Sequence, residues 1–386
     1  MTIAVLEGLF GGGSILVMQR RLGVARPAMV APWRSAAWVA GLGWLPLLLL
    51  AAVQSRFTVS ASFESFLADA GIHARALVAA PALIVGRAIS YPQLSRTCAH
   101  FTRAGLISTL DRPRFDAALA STGRLEASPL ASGVALALAY ALVVAVLAST
   151  PPLPAWHASG GELGPYSLAG WWHSLVTLPV LLMLLLGWFW RLLLWARLLW
   201  KVSRLNLQLV PAHPDKAAGL KFVGYAVRSF APAGFALGVI VAGTLANRLT
   251  RQEVPLTAYR DAAGGLLLFV LAMFGTPVIV FIRPLSAAWH RGIHEYGSFA
   301  HSIGQSFERK WLRGTRPDTP ALELPDFSAL TDLYQVTGNV YLMSVVPIDL
   351  ASLAFLAIPT VLPIGVVMLS SLPLDVLGRF IVDLMF

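Results

Sequence analysis

Charge is scarce in this chain. Only 12% of its 386 residues are Asp, Glu, Lys or Arg, about half of the ~25% usual in a soluble domain. That shortage excludes a soluble globular protein of this length. Cysteine is nearly absent. Cys98 stands alone, which excludes an internal disulfide and a cysteine-based metal cluster. The chain also lacks the alternating ten-residue segments of a membrane barrel; its apolar runs are continuous, and in lipid only a helix then satisfies the backbone. Acidic residues are missing from the middle of every apolar run, with Asp349 at an edge. Cation-coupled carriers rely on a carboxylate at depth, so this absence argues against one. No phosphate-binding loop, dinucleotide fingerprint, kinase set or nucleophile elbow is present. Gly11-Gly12-Gly13 and Gly160-Gly161 lack the flanking strand and helix of a nucleotide loop. No cofactor is expected, and an enzyme is disfavoured.

What the chain has is apolar length. Hydrophobic residues make up 57% of it, and mean hydropathy is +0.70. A hydrocarbon core of ~30 Å needs ~20 apolar residues. Candidate spans are 35–54, 75–93, 129–149, 172–195, 229–247, 262–283 and 348–370. The expected fold is all-α: a polytopic transmembrane helix bundle of about seven spans with a cytoplasmic layer of amphipathic helices. Basic residues alternate between the gaps. Four lie in 1–34, five in 94–128, six in 196–228 and five in 284–347. Between them, 55–74 holds only Arg56, 150–171 none, 248–261 three, and the tail Arg379. The positive-inside rule then makes the N-terminus and the three longer gaps cytoplasmic. The expected localisation is a bacterial inner membrane. Ile3–Met18 has no basic residue before it and contains Glu7, so it is not a secretory signal. Its triple glycine favours a helix lying in the interface over an eighth span. The expected organisation is an interfacial segment 1–34, a transmembrane domain 35–283 with insertions 94–128 and 196–228, a cytoplasmic helical region 284–347, and a last span with outer tail 348–386.

The net charge of +10 fits arginines that set topology and touch anionic headgroups, and nucleic acid is not an expected partner. Prolines 81, 179, 277, 359 and 363 fall inside spans and predict kinks. Trp156, Trp171 and Trp172 fit an outer aromatic belt; Trp188, Trp190, Trp195 and Trp200 fit an inner one.

Candidate functional residues are mostly basic. Arg75, Arg87, Arg191 and Arg283 lie within or at the ends of spans. Intramembrane charge marks function by default, and a route lined by arginine suits anions. Arg75, Arg191 and Arg283 can instead snorkel to the interfaces. Arg87 is deeper, so Arg87, Arg75 and Arg283 are the ion-pathway candidates, Arg87 first. The helix beginning at Trp171 continues past the membrane, with Arg197, Lys201 and Arg204 on one face as headgroup contacts. His290, His294, His301 and Glu308 share a helix face. His290 and His294 could share one metal, but the full set spans too far for a single ion, so a solvated polar face is expected and no metal site. His213-Pro214-Asp215 reads as a turn, with Asp215 as the N-cap of a helix over Lys216–Val227. The same triplet occurs in the J domain of co-chaperones, but that domain's basic helix pair is not recognisable here.

A broader pattern combines Trp171-Trp172, Arg204-Leu205, Pro211-x-His213-Pro214-Asp215-x-Ala217-x-Gly219-Leu220, Lys310-Trp311, Asp326-x-Ser328-x-Leu330-x-Asp332-Leu333 and Pro347. In this order the chain resembles a family of polytopic bacterial inner-membrane proteins, from about residue 35 onward. The resemblance brings no established activity. The expected function is an oligomeric channel or transport protein, with anion selectivity as the finer expectation. The alternatives are a membrane scaffold or signalling protein docking a cytoplasmic partner, and a lipid-acting enzyme with His213 and Asp215 near the headgroups. Membrane lipids and further copies of the chain are the expected partners.

Overall fold

The computed structural model describes residues 32–57, 62–149, 154–161, 164–251, 256–313 and 326–370. The segment Ile3–Met18 and the tail carrying Arg379 lie outside the described residues. Seven helical runs among them are long and apolar enough to cross a membrane: Pro32–Arg56, Ala70–Arg103, Pro129–Ala148, Leu168–Val202, Lys221–Leu249, Thr257–Trp311 and Leu350–Ser370. The protein is a multi-pass membrane protein built as an all-α bundle. The second, fourth and sixth runs have 34, 35 and 55 residues. At 1.5 Å per residue each is roughly 50 Å or more, so all three outrun a ~30 Å core. Apolar windows underestimate them because helical hydrogen bonding continues into polar sequence.

Three of the prolines do more than kink. Pro81 and Pro179 each follow a π-helical turn, Ala74–Ala79 and His173–Thr177. Proline has no N–H, and its ring crowds the carbonyl four residues back. The preceding turn widens: Ala80 N–H donates to Arg75 O and Leu178 N–H to His173 O, each five residues back. Pro277 lies in a 3-10 segment, Thr276–Phe281. Pro359 and Pro363 sit inside the continuous helix Leu350–Ser370.

The gaps sort onto two sides. On one side, Leu106 O accepts from Gln208 N (2.9 Å), Asp111 Oδ2 from Asn206 N (3.0 Å), Leu209 O from Arg291 Nη2 (3.1 Å) and Lys216 O from Ser344 N (2.7 Å). The three gaps expected to share a face therefore form one loop layer. The amphipathic helix Arg112–Glu126 lies in it, held to the fourth span by Arg197. Beyond Arg283 the sixth run projects through this layer as helix Ile282–Trp311. It pairs with helix Asp326–Tyr341 through a Lys310–Asp326 ion pair and the edge-to-face rings of Phe307 and Phe327. On the other side lies a small hairpin, β1 (Ala158–Gly161) and β2 (Gly164–Tyr166), with Ala158 opposite Tyr166. It is the one strand pair among the described residues besides an isolated Ile107–Leu207 bridge.

The main core joins the second, fourth, fifth and sixth spans around Leu83, Trp188, Trp195, Phe230, Phe274 and Phe281. The fifth and seventh spans pack closest. A Cβ on Gly238 would run into the Thr360 carbonyl oxygen, so only glycine permits the approach. The third and seventh spans turn Val134, Val144, Phe355 and Ile358 outward, the apolar surface that lipid covers. The tryptophan belts are corrected. Trp156, Trp188 and Trp195 are buried, while Trp171 and Trp200 are exposed. The indole N–H explains two of them: Trp156 donates to Asp69 Oδ2 (3.0 Å) and Trp188 to Leu83 O (3.1 Å), partners that lie inside the protein.

Candidate functional site: two polar clusters along the second and fourth spans

The hairpin-side cluster is built on Asp69. This residue caps the start of the second span, accepting from Ile72 N at 3.0 Å. Its Oδ1 also accepts from Asn247 Nδ2 of the fifth span (2.7 Å), and its Oδ2 from the Trp156 indole (3.0 Å). Burial pushes the carboxyl pKa up. The hydrogen bonds from Asn247, Trp156 and Ile72, with the charge of Arg75, outweigh it and hold the group below the usual carboxylate range. Asp69 is therefore the buried anion opposite Arg75.

Arg75 is half-buried one turn into the second span. Its Nε donates to Gly71 O at 2.9 Å, and its side chain lines a small cavity with His173, Thr177, Gly43 and Ile72. The cavity measures about 20 Å³, room for about one water-sized species. Arg75 and His173 each stand six residues before a proline, Pro81 and Pro179. Each therefore sits at the widened π turn that the proline forces, and both turns face the same cavity. π-bulges recur at functional sites. Thr177 Oγ1 donates to Gly43 O at 3.0 Å. His157 packs behind His173, its ring 5.4 Å edge-on from that of His173. Burial, with a smaller push from Arg75, drives the His157 pKa down to about 4 against the pull of Asp69, so the ring is neutral at pH 7. Nδ1 of His157 and Nδ1 of His173 have no hydrogen-bond partner among the described residues. Trp44 Nε1 donates to His73 Nδ1 at 2.8 Å and ties the first span to this cluster.

The second cluster lies deeper toward the loop layer. Arg191 is buried, with its guanidinium 4.2 Å over the Tyr91 ring and Nη1 donating to Gly187 O at 3.2 Å. Arg87 interacts electrostatically with Tyr91 and Arg191. The spans hold no mid-depth carboxylate, but one arrives from outside them. Glu126, at the end of helix Arg112–Glu126, is buried in the field of Arg191. Burial raises its pKa to about 7, against the pull of Arg191. Between the clusters the spans are packed and apolar, through Ala79, Ala80, Leu83, Leu181, Leu184 and Trp188.

The remaining candidates are scattered. Arg197 Nη2 donates to Ser121 Oγ (2.6 Å) and Lys201 Nζ reaches the same oxygen at 3.5 Å, so both face helix Arg112–Glu126. Arg204 stacks on Trp200, 4.7 Å from the ring, beside the exposed Arg283. His290 and His294 are exposed, and His290 Nδ1 lies 2.8 Å from Ser286 O. No group of three or more potential metal ligands occurs among the described residues.

The helix expected over Lys216–Val227 starts later, at Lys221. Lys216 and Ala218 have φ of 57° and 52°, and Gly219 92°, so the chain curls around Asp215 before it becomes helical. Asp215 Oδ1 accepts from Ala217 N (2.9 Å) and Gly219 N (3.1 Å), and Oδ2 from Lys221 N (3.2 Å). His213 Nδ1 sits 2.8 Å from Oδ1. The carboxylate organises a turn and still receives the first helical amide, and these bonds hold its pKa below the ordinary value against the opposing effect of burial.

Asp69, Asn247, Trp156, His157 and Glu126 were not legible as site residues. Asp69 before Ala70-Gly71 does carry an N-cap signal; the others meet only through tertiary packing. The chain matches no family model, no curated protein and no solved structure.

Proposed function

We propose that this multi-pass membrane protein transports a small solute, with anions favoured, and that the cavity between Arg75 and His173 is its binding station. One observation carries the proposal: two spans widen into π turns, each beside a proline, and both turns present a polar residue to one small cavity. A cationic guanidinium in a site of about 20 Å³ suits a water-sized anion. The apolar packing between this cavity and Arg87 favours alternating access or a closed gate over a standing pore. Arg87, with Arg191 and Tyr91, is the second station on the route. We place the basic loop layer on the cytoplasmic side of a bacterial inner membrane, following the arginine count.

Flux of halides and nitrate into proteoliposomes, read with an anion-quenched dye, tests this function. Wild-type protein and the Arg260→Gln variant should conduct alike. Arg75→Gln should lower flux at least about tenfold, the scale of removing one buried charged contact. Absence of flux for every anion in folded, reconstituted protein would sink the transport function.

A second function has its own observation. Helices Ile282–Trp311 and Asp326–Tyr341 project together and leave Phe299, Val336 and Tyr341 exposed, which favours docking of a soluble partner. Stoichiometric co-purification that is lost with Phe299→Ser and Val336→Ser would support it; co-purification unchanged by both would exclude this surface.

A further inference from the structure

A second basic pair, remote from the Arg75 cavity, stands at the edge of the bundle. The fourth span ends at Val202, beside the 3-10 segment of the sixth. Between them opens a groove of about 430 Å³. Its membrane-side wall is apolar: Ile279 and Val280 on the sixth span and the Trp200 indole on the fourth. Ile279 and Trp200 are 48% and 49% exposed, so this wall faces lipid. Its loop-layer end carries Arg204, Arg283 and Ser203. Arg204 is held by stacking on Trp200, 4.7 Å from the ring centroid, which fixes the guanidinium at the groove. The Ser203 hydroxyl is engaged in turn, donating to Trp200 O at 2.9 Å.

The charge is not balanced from within. Arg228 on the same side pairs with Asp349 at 3.4 Å, and Arg112 with Asp116 at 3.6 Å. Arg204 and Arg283 make no ion pair among the described residues. Two guanidinium groups at the wet end of an apolar groove match a molecule with an anionic phosphate at one end and hydrocarbon at the other. Guanidinium is also the side chain best shaped for bidentate phosphate contact. Arg197 and Lys201, on the same helix, turn instead to Ser121.

We propose that this groove is a binding site for one anionic phospholipid. Arg204 and Arg283 clamp the phosphate, and an acyl chain runs along Ile279 and Val280. The apolar wall is what favours a lipid over free phosphate.

Native mass spectrometry of the full-length protein in detergent tests the site, titrating phosphatidylglycerol, phosphatidylcholine or inorganic phosphate. Wild type should bind one phosphatidylglycerol in preference to phosphatidylcholine. Arg204→Gln with Arg283→Gln should weaken that binding about 30-fold, roughly fivefold for each arginine near an anionic surface. Arg260→Gln, whose arginine pairs with Asp261, should bind as wild type does. If the double variant does not yield monodisperse protein, Arg283→Gln alone decides, with an expected loss of about fivefold. Equal phosphatidylglycerol affinity in wild type and variant overturns the site. Displacement of the lipid by millimolar inorganic phosphate, or equal binding of phosphate alone, overturns the assignment to a lipid.

Discussion

Replacing Asp69 with asparagine should loosen the junction of the second span, the fifth span and the loop that carries Trp156. The carboxylate is 3% exposed and takes three hydrogen bonds, from Asn247, Trp156 and Ile72. An amide keeps one acceptor. Placed where Oδ1 now sits, its oxygen retains Asn247 and Ile72, but its NH2 then faces the Trp156 N–H, donor against donor. One charge-assisted bond is lost, about 2 kcal/mol, and two become neutral, about 1 kcal/mol each. Arg75 also loses its buried counter-charge. The total of about 3–5 kcal/mol agrees with the usual effect of removing one partner from a buried pair. Thermal unfolding in detergent should show a Tm lower by roughly 6–10 °C, at roughly 2 °C per kcal/mol for a large chain. The sign with pH follows from the lowered pKa. Stability from Asp69 is present above the ordinary carboxylate value of 3.8 and is lost as pH falls through the lower folded value. The asparagine variant should lack that acid limb. Arg75→Gln combined with Asp69→Asn should recover at least about 1 kcal/mol relative to the sum of the single changes. A loss below about 1 kcal/mol for Asp69→Asn, or strict additivity in the double variant, would refute the role of Asp69 as the hub.

Glu126→Gln should act in the opposite pH range: the folded pKa of about 7 lies above the ordinary 4.5, so the stability it confers is full below 4.5 and fades as pH rises through 7. At pH 8 the glutamine variant should be more stable by about 2–3 kcal/mol, and equal Tm values from pH 5 to 8 for both proteins would contradict this. Asp215→Ala removes the carboxylate that accepts from three backbone amides and should destabilise the turn by about 1–3 kcal/mol; hydrogen exchange at Ala217, Gly219 and Lys221 should quicken, and unchanged protection there would count against the turn's dependence on the carboxylate. Gly238→Ala drives a Cβ onto the Thr360 carbonyl oxygen and should lose about 1–3 kcal/mol, whereas Gly41→Ala, with nothing within 4 Å, should be neutral or slightly stabilising; similar Tm changes for the two would argue against close packing of the fifth and seventh spans. In a Cys98-free background, cysteines at Thr109, Asn206 and Ser344 should label from one side of the membrane and one at Ala155 from the other, and labelling of the first three from opposite sides would break the layer.

Legibility followed the range of the interaction. Span number and the grouping of the gaps depend on composition over ~20 residues and on charge counts, and both could be read without knowing which helix touches which. The prolines were equally legible, but not their consequence. Pro81 and Pro179 announce a disturbance; that both disturbances are π turns opening on one cavity follows from how the second and fourth spans face each other. The tryptophans misled because an amphipathic ring fits either a lipid boundary or an interior with a hydrogen-bond acceptor. Trp156 found Asp69 and is buried; Trp200 found no acceptor among the described residues and stays at the edge.

The amino-acid sequence by itself determined that this chain crosses a membrane, about how often, and which gaps share a side. Desolvation of the backbone and the cost of moving arginine across lipid act residue by residue, and their sum needs no fold. Only the tertiary structure decided the partners of the buried charges. Asp69 lies six residues before Arg75 in the sequence, yet Asn247 and Trp156, which hold it as an anion, come from distant segments. Glu126 lies 65 residues before Arg191, and the two meet because helix Arg112–Glu126 folds back against the fourth span. A charge buried in a low dielectric is governed by what stands within a few ångströms of it, and packing alone sets that distance.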